Sequence, residues 1–486
     1  MVLTDVRSGA SIRQRIGLFL GPVVFVLVLV LPAPAGLSPD GWHTAGLAGL
    51  MAVWWITEAI PIPATALLPL IVLPVAGVGT MRETAAPYAN PIIFLFLGGF
   101  ILAAGLEASG LHRRLALGII RLAGTTPRRL IAGFMAATAF LSMWISNTAT
   151  VLMMLPIAVS TLAVVEPDTE SPDPHLPIAL FLGIAYAANI GGVATLIGTP
   201  PNALLAGFME ETYGVTLGFA QWMTLGLPLV LVALPLCWLL LSRLLFPVGN
   251  STTGNGGSDQ LSAEWQARGA MSRRERVVAV VTGGTALAWI FRPLLGEWLP
   301  GLSDPGIAIA GAILLFLIPV DWKRLEPVLR WKAVERLPWG ILILFGGGIS
   351  LASAIQRSGL AEWIGAGLTA AGTWPIIGMV AAITAVIVLL TEITSNTATA
   401  ATFLPVVAAL AVASGLDPLV LAAPAALAAS CAFMLPVATP PNAIIYASDR
   451  VPIIAMIRAG LVLNVMMVLL ITVMSLGILK LWGSAP

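Results

Sequence analysis

Long stretches of this 486-residue chain contain almost no charged residue, and this feature limits how it can fold more than any other. Ile16–Val30 and Leu461–Leu481 are two examples, each about as long as a helix that crosses a lipid bilayer. Only 10% of the residues are charged and 58% are apolar, a balance that excludes an ordinary soluble domain. Because membrane-spanning β-strands would be shorter and would alternate in polarity, the pattern predicts an all-α polytopic membrane protein.

The apolar segments predict eleven transmembrane helices. They lie at about 16–32, 42–57, 64–78, 91–109, 176–198 (continuing to 208), 222–246, 277–292, 306–319, 339–355, 419–446 and 453–482. Two further apolar stretches, 129–163 and 374–413, are too long for one span, and each has a polar Ser-Asn-Thr sequence at its middle. We interpret these two stretches as re-entrant hairpins that return to the side from which they entered.

The basic residues support this topology. With the N-terminus in the cytoplasm, all but four of the 24 lysines and arginines fall on the cytoplasmic side, the exceptions being Arg82, Arg292, Arg357 and Lys480. Counting either hairpin as a full crossing would move every later loop to the other side and abolish the bias. The sequence therefore predicts a multi-pass protein of the inner (plasma) membrane with its C-terminus outside.

The first apolar run ends in Pro32–Ala35 and resembles a signal peptide. Whether the first helix is retained in the mature protein therefore stays open.

The two halves of the chain carry the same motifs in the same order. Ser146–Thr150 recurs as Ser395–Thr399, and Thr199–Ala203 recurs as Thr439–Ala443. By the predicted topology the first hairpin enters from inside and the second from outside, so the copies are inverted in the membrane, as in secondary transporters. The predicted parts are an N-terminal tail and first helix at 1–40, a first inverted repeat at 41–248, a cytoplasmic linker at 249–276 and a second inverted repeat at 277–486. Within the linker, the Gly/Ser/Thr/Asn-rich stretch Gly249–Ser258 is predicted to be flexible.

The repeated polar breaks suit an anion together with a cation. A hairpin tip exposes N–H groups where its second helix starts, which favour an anion, and carbonyl groups where its first helix ends, which favour a hard cation. Pro200 and Pro201 interrupt a helix in the same way as Pro440 and Pro441, and Gly198 allows close backbone approach. No arginine or lysine lies near either tip in the sequence, so we expect bound cations to offset the charge of the anion.

Other kinds of site are disfavoured by the sequence. The histidines His43, His112 and His175 all lie near segment ends, which leaves no catalytic base in the membrane interior, so we do not expect an enzyme. A channel is also disfavoured, because channel filters are usually rings at a subunit axis. Cys237 and Cys431 are far apart, and nothing indicates a disulfide framework, a metal cluster, an organic cofactor or nucleic acid as partner.

Glu392, four residues before Asn396, has two interpretations that the sequence does not separate fully. It could be a proton or cation site, or a carboxylate that faces another helix at an interface. We favour the second interpretation.

Together, the paired Ser-Asn-Thr motifs, the paired Thr-Pro-Pro breaks and the segment Trp54–Pro61 resemble the divalent anion/sodium symporter family over nearly the whole chain after residue 40. The resemblance implies eleven transmembrane helices, two hairpins and a homodimer in the lipid bilayer. It also implies a scaffold domain and a transport domain. The transport domain would be formed by about 129–246 and 374–486 and would move across the membrane relative to the scaffold, which is called an elevator mechanism.

The same resemblance implies the site residues. Substrate-binding residues would be Ser146, Asn147, Thr148, Thr199, Pro200, Ser395, Asn396, Thr397, Thr439 and Pro440. One sodium ion would lie among Ser142, Ser146, Asn147 and Gly198, and another among Thr391, Thr394, Asn396 and Ala438.

The expected function is sodium-coupled symport of C4-dicarboxylates such as succinate, malate and fumarate. Because no basic residue replaces a predicted sodium ligand, symport is favoured over sodium-independent dicarboxylate exchange. A sulfate or tricarboxylate transporter of the same fold is a further alternative.

Overall fold

The computed structural model describes residues 11–124, 126–165, 173–249, 256–367 and 374–481, and these residues are mainly helical. The first segment contains α1 Ile12–Val30, α2 Pro39–Thr57, α3 Ile62–Thr65, α4 Pro69–Val75, α5 Met81–Ala85, a 3₁₀ turn at Ala86–Ala89, α6 Pro91–Ser109 and α7 Leu111–Ala123. The next helices are α8 Pro127–Ser142, α9 Asn147–Val165, α10 His175–Gly192, α11 Pro200–Tyr213 and α12 Phe219–Leu239, which continues as a π-helical turn at Leu240–Leu245.

The second half of the chain repeats the order of helices of the first half. Its elements are α13 Gly256–Ala267, α14 Arg273–Ile290, α15 Arg292–Trp298, α16 Asp304–Leu317, β1 Pro319–Asp321, β2 Glu326–Pro327, α17 Trp331–Val334, α18 Trp339–Arg357, α19 Leu360–Gly367, α20 Ile376–Thr391, α21 Asn396–Ala413, α22 Leu419–Ala429, α23 Pro440–Tyr446 and α24 Ile453–Leu481. Helices α20, α21, α22 and α23 are in the places of α8, α9, α10 and α11. Strands β1 and β2 form a small antiparallel ribbon.

Helices α10 and α22 lie at the centre of the molecule. Every side chain of α22 is buried, as are nearly all of those of α10. Helix α10 packs on α8, α9 and α12, and α22 packs in the same way on α20, α21 and α24. Contacts across the two halves are also matched, because α9 packs on α23 as α21 packs on α11. The two copies are therefore interleaved rather than side by side.

Many apolar side chains lie on the outer surface, as expected where lipid replaces water. Val30 in α1, Leu231 in α12 and Val280 in α14 are all more than half exposed. Seven helices of the described ranges are long and apolar enough to span a bilayer: α1, α6 with the turns before it, α10, α12 with its π-helical end, α18, α21 and α24. Other apolar helices are shorter or broken, and the pair α14 and α15 is bent by 82°.

The structure differs from the sequence-based expectations in three places. The apolar segment predicted at 64–78 is a short apolar helix over Ile62–Val75, interrupted between α3 and α4, in a segment rich in proline, which removes helical hydrogen bonds. The loop predicted after residue 110 contains helix α7, which packs on α8. Most of the stretch predicted to be flexible, residues 250–255, lies outside the described ranges, and the rest of the linker contains helix α13, which packs on α7 and α9.

Candidate substrate and sodium site

The helix breaks that the sequence predicts are present at four places. The first hairpin turns between α8, which ends at Ser142, and α9, which begins at Asn147. The second turns between Thr391 and Asn396. Break 1, between α10 and α11, and break 2, between α22 and α23, each precede a helix that starts with two prolines. The N-termini of α9 and α21, the positive ends of their dipoles, are therefore available to an anion, whereas α11 and α23 begin with prolines that have no N–H to donate.

One cavity of about 1470 Å³ lies between the two hairpin tips and the two breaks. All of the predicted substrate-binding residues line it: Ser146, Asn147, Thr148, Thr199, Pro200, Ser395, Asn396, Thr397, Thr439 and Pro440. Of the predicted sodium ligands, Gly198, Thr394 and Ala438 also line the cavity. Ser142 and Thr391 lie behind the tips and are fully buried.

At the first hairpin tip, a single hydroxyl proton faces more than one hydrogen-bond acceptor. The Ser142 hydroxyl donates to the Ala188 carbonyl at 2.8 Å and also contacts the side-chain oxygen of Asn147. A hydroxyl has one proton, so it can serve only one of these two acceptors well. The carbonyl of Gly198 lies on the same side of Gly192 as the Asn147 oxygen. Such a group of neutral oxygens suits a hard cation such as sodium.

The second tip repeats this arrangement with different residues. The Thr391 hydroxyl lies 2.8 Å from the Ala429 carbonyl and 2.7 Å from the side-chain oxygen of Asn396. Again one proton is shared between two acceptors. The Thr394 hydroxyl lies 2.6 Å from that of Thr399 and donates to Leu390 rather than pointing freely into the cavity.

Two asparagines of the Thr-Pro-Pro-Asn motifs hold the break loops in shape, a role that the sequence analysis missed. The Asn202 amide donates to the Thr195 carbonyl at 2.8 Å, and the Asn442 amide donates to the Leu435 carbonyl at 3.1 Å. Both side chains are fully buried. Their repetition at equivalent positions in the two motifs was a signal that could have identified them.

Two further residues missed by the sequence analysis link the repeats to each other. Asn189, in α10 of the first repeat, donates to the Thr439 hydroxyl of break 2 at 3.1 Å. Ser430, just after α22 of the second repeat, lies with its hydroxyl 3.3 Å from that of Thr199 in break 1. Asn189 and Ser430 differ in residue type, so the motif repetition did not point to them.

Glu392 is a buried carboxylate at the second tip. It accepts hydrogen bonds from the backbone N–H groups of Phe433, Met434 and Leu435 at 2.7 to 3.1 Å, and from the Asn464 amide of α24 at 2.8 Å. It therefore ties the hairpin tip to break 2 and faces another helix, as in the favoured interpretation. Since these N–H groups are occupied by Glu392, they are not donors to a substrate.

The expectation that no basic residue lies near a tip is wrong for the second hairpin. Arg13, at the start of α1, donates to the Ile393 carbonyl at 2.7 Å and forms an ion pair with Glu58 at 3.3 Å. The contact joins residues far apart in the chain, so inspection of the sequence around the tip could not reveal it. Arg13, Glu58, Lys332 and Arg336 also line the cavity.

Comparison with known families identifies the family of the chain. A family model described as the sodium:sulfate symporter transmembrane region matches residues 13–484. The chain belongs to the sodium:sulfate symporter family. The resemblance predicted from the doubled motifs is thereby confirmed, and this symporter-family chain is a transporter and not an enzyme.

Two curated relatives are similar over nearly their whole length. SdcS of Staphylococcus saprophyticus, named a sodium-dependent dicarboxylate transporter, is 44% identical over 474 residues, which cover 95% of this chain and 90% of the relative. SdcS of Staphylococcus aureus strain USA300 has the same name and is 43% identical over 471 residues, with coverage of 95% and 90%.

Solved structures share the fold of this sodium:sulfate symporter family chain at low sequence identity. The Alcanivorax borkumensis YdaH transporter superposes with a TM-score of 0.59 at 16% identity, covering 98% of this chain and all of its own. Neisseria gonorrhoeae MtrF superposes with a TM-score of 0.56 at 13% identity, covering 94% of each chain. At these identities the likeness concerns the fold alone.

Proposed function

We propose that this chain couples the entry of a C4-dicarboxylate such as succinate, malate or fumarate to the sodium gradient. The observation that carries the proposal is the matched oxygen cluster at each hairpin tip, where one hydroxyl proton faces two acceptors. A sodium ion at each cluster would satisfy these oxygens. The names of the relatives support the same cargo and the same ion.

The substrate carboxylates would bind at the residues that line the cavity. The hydroxyls of Ser146 and Thr148 and the amide of Asn147 would hold one end, and Ser395, Asn396 and Thr397 the other. The positive ends of α9 and α21 favour negative charge there. Because the sodium clusters lie directly behind the same tips, each ion would offset part of the substrate charge, and binding of the anion would require sodium.

Movement would follow the elevator scheme implied by the family resemblance. We assign eleven crossings and two hairpins to the chain, with its N-terminus in the cytoplasm and its C-terminus outside. The transport domain would consist of about 129–246 and 374–486, and two copies of the chain would associate through their scaffold domains. With this orientation the cavity, which Lys332 and Arg336 help to line, would be open to the cytoplasm.

Uptake of labelled succinate into proteoliposomes tests the proposal. We expect uptake to follow an inward sodium gradient and to stop when choline replaces sodium. Counterflow that ignores sodium would instead favour a dicarboxylate exchanger, and uptake of sulfate or citrate in preference to succinate would favour another anion. The family description names sulfate, so sulfate is the most informative competitor.

A further inference from the structure

Asn189 is a buried polar residue for which no motif or family resemblance predicts a role. It lies near the end of α10, is 1% exposed and lines the cavity. Its side-chain nitrogen donates to the Ala432 carbonyl at 3.3 Å and to the Thr439 hydroxyl at 3.1 Å. Its side-chain oxygen faces the side-chain nitrogen of Asn147 at 3.5 Å.

These contacts determine which way the Asn147 amide points. A backbone carbonyl only accepts hydrogen bonds, so the Asn189 nitrogen must face Ala432. The Asn189 oxygen then faces Asn147, which must turn its own nitrogen toward Asn189. The Asn147 oxygen consequently points the other way, toward Ser142.

We propose that Asn189 is the positioning residue of the first sodium site, holding the Asn147 amide with its oxygen toward the ion. The inference rests on the proposed function, because it assumes that sodium binds among Ser142, Asn147 and Gly198. Asn189 itself does not touch the ion. It acts through Asn147, and through Thr439 it joins this site to break 2 of the other repeat.

The second repeat lacks the corresponding contact. Ala188 and Ala429 are the matched carbonyl acceptors of the two tips, so the residues that follow them, Asn189 and Ser430, occupy equivalent positions. The shorter Ser430 side chain contacts Thr199. Within the described ranges, the Asn396 amide nitrogen forms no hydrogen bond with another side chain. The Asn147 amide therefore has side-chain contacts through both its oxygen and its nitrogen, whereas the Asn396 amide has one through its oxygen, from Thr391.

The test is the sodium dependence of succinate uptake by Asn189→Ser, which places the residue of the second repeat at the equivalent position of the first. Without Asn189, sodium binding would have to order the Asn147 amide, which costs binding free energy. We therefore expect the half-saturating sodium concentration to rise roughly threefold to tenfold. This rise should exceed the fall in maximal rate at saturating sodium. The matched control is Thr472→Ala in α24, a buried residue whose hydroxyl donates to the Val468 carbonyl of its own helix. It should change the half-saturating sodium concentration by less than about twofold because it leaves the Asn147 amide in place.

The outcomes separate this inference from the proposed function. If wild-type uptake ignores sodium, the proposed function fails whatever Asn189 does. Suppose instead that wild-type uptake depends on sodium. The positioning role is then refuted if folded Asn189→Ser keeps the wild-type sodium dependence, or if its uptake rate falls by the same factor at every sodium concentration. Should the variant not fold, a sodium-bound structure of the wild-type protein decides. An Asn147 side chain that contacts the ion with one amide atom and the Asn189 oxygen with the other would support the inference. An Asn147 amide that contacts the ion but not Asn189 would overturn it.

Discussion

The guanidinium of Arg13 donates a hydrogen bond to the Ile393 carbonyl over 2.7 Å, although 380 residues separate them. Arg13 lies in the first turn of α1, whereas Ile393 lies at the tip of the second hairpin, next to the predicted sodium ligand Thr394. Glu58 fixes the other side of the same guanidinium. In the proposed topology this contact joins the cytoplasmic end of α1 to a hairpin that enters from outside, which requires the transport domain to be displaced inward.

We predict that Arg13→Gln lowers the population of this inward-displaced state, because the hydrogen bond from Arg13 to the Ile393 carbonyl exists only when the tip is near α1. The measurement is labelling of Val437→Cys from the cytoplasmic side with a membrane-impermeant thiol reagent. Val437 is 78% exposed and lines the cavity, while the native Cys237 and Cys431 are buried. Labelling should slow in Arg13→Gln and stay unchanged in Arg113→Gln, a change of an exposed arginine in α7. Equal labelling of all three proteins would contradict a role for Arg13.

Asn147→Ala and Asn396→Ala should each abolish uptake while leaving the fold largely intact. Each change removes an amide that faces both the cavity and an oxygen cluster. Loss of several hydrogen bonds to charged groups predicts a fall of roughly 100-fold or more in uptake. Initial rates in proteoliposomes and the melting temperature of the purified variants measure the two parts of this prediction. A variant that transports normally would exclude its tip from the site.

Thr148→Ala and Thr397→Ala should mainly weaken substrate affinity. Both hydroxyls line the cavity and are not assigned to sodium. The loss of one hydrogen bond to a carboxylate predicts a KM for succinate that is about threefold to tenfold higher. The half-saturating sodium concentration at saturating succinate should change much less, and a larger effect on sodium than on succinate would argue against this assignment.

Gly198→Ala should disrupt the first sodium site. A Cβ atom at Gly198 would collide with the Gly192 carbonyl, which is backbone and cannot turn away. Separating these two segments would displace the Gly198 carbonyl, and overpacking of this kind costs about 1–3 kcal/mol. We therefore expect sodium to raise the melting temperature of this variant less than that of the wild type. Gly283→Ala, in a helix where a Cβ meets open space, is the matched control and should respond to sodium like the wild type.

The sequence could predict the parts of the site that are duplicated. Ser-Asn-Thr and Thr-Pro-Pro-Asn occur twice at matched places, and each copy ends or begins a helix where expected. Proline and polar residues interrupt a helix through local chemistry, which a sequence reveals directly. For the same reason, all predicted substrate residues reach one cavity.

Contacts between distant segments could not be predicted in this way. Asn189 and Ser430 occupy equivalent positions but differ in type, so a search for repeated residues passes over both. Arg13 meets the second tip only in the folded chain. The surface helices α7 and α13 were missed because apolar run length detects spans, whereas a partly polar helix shows itself only by its periodicity.

The central claim is that the two hairpin tips hold one anion together with its sodium ions. A cryo-EM structure of the purified protein with succinate and sodium tests this claim most directly. The account predicts density for succinate in the cavity, in contact with both Asn147 and Asn396, and sodium behind each tip. Succinate bound elsewhere, or held by one tip alone, would contradict it.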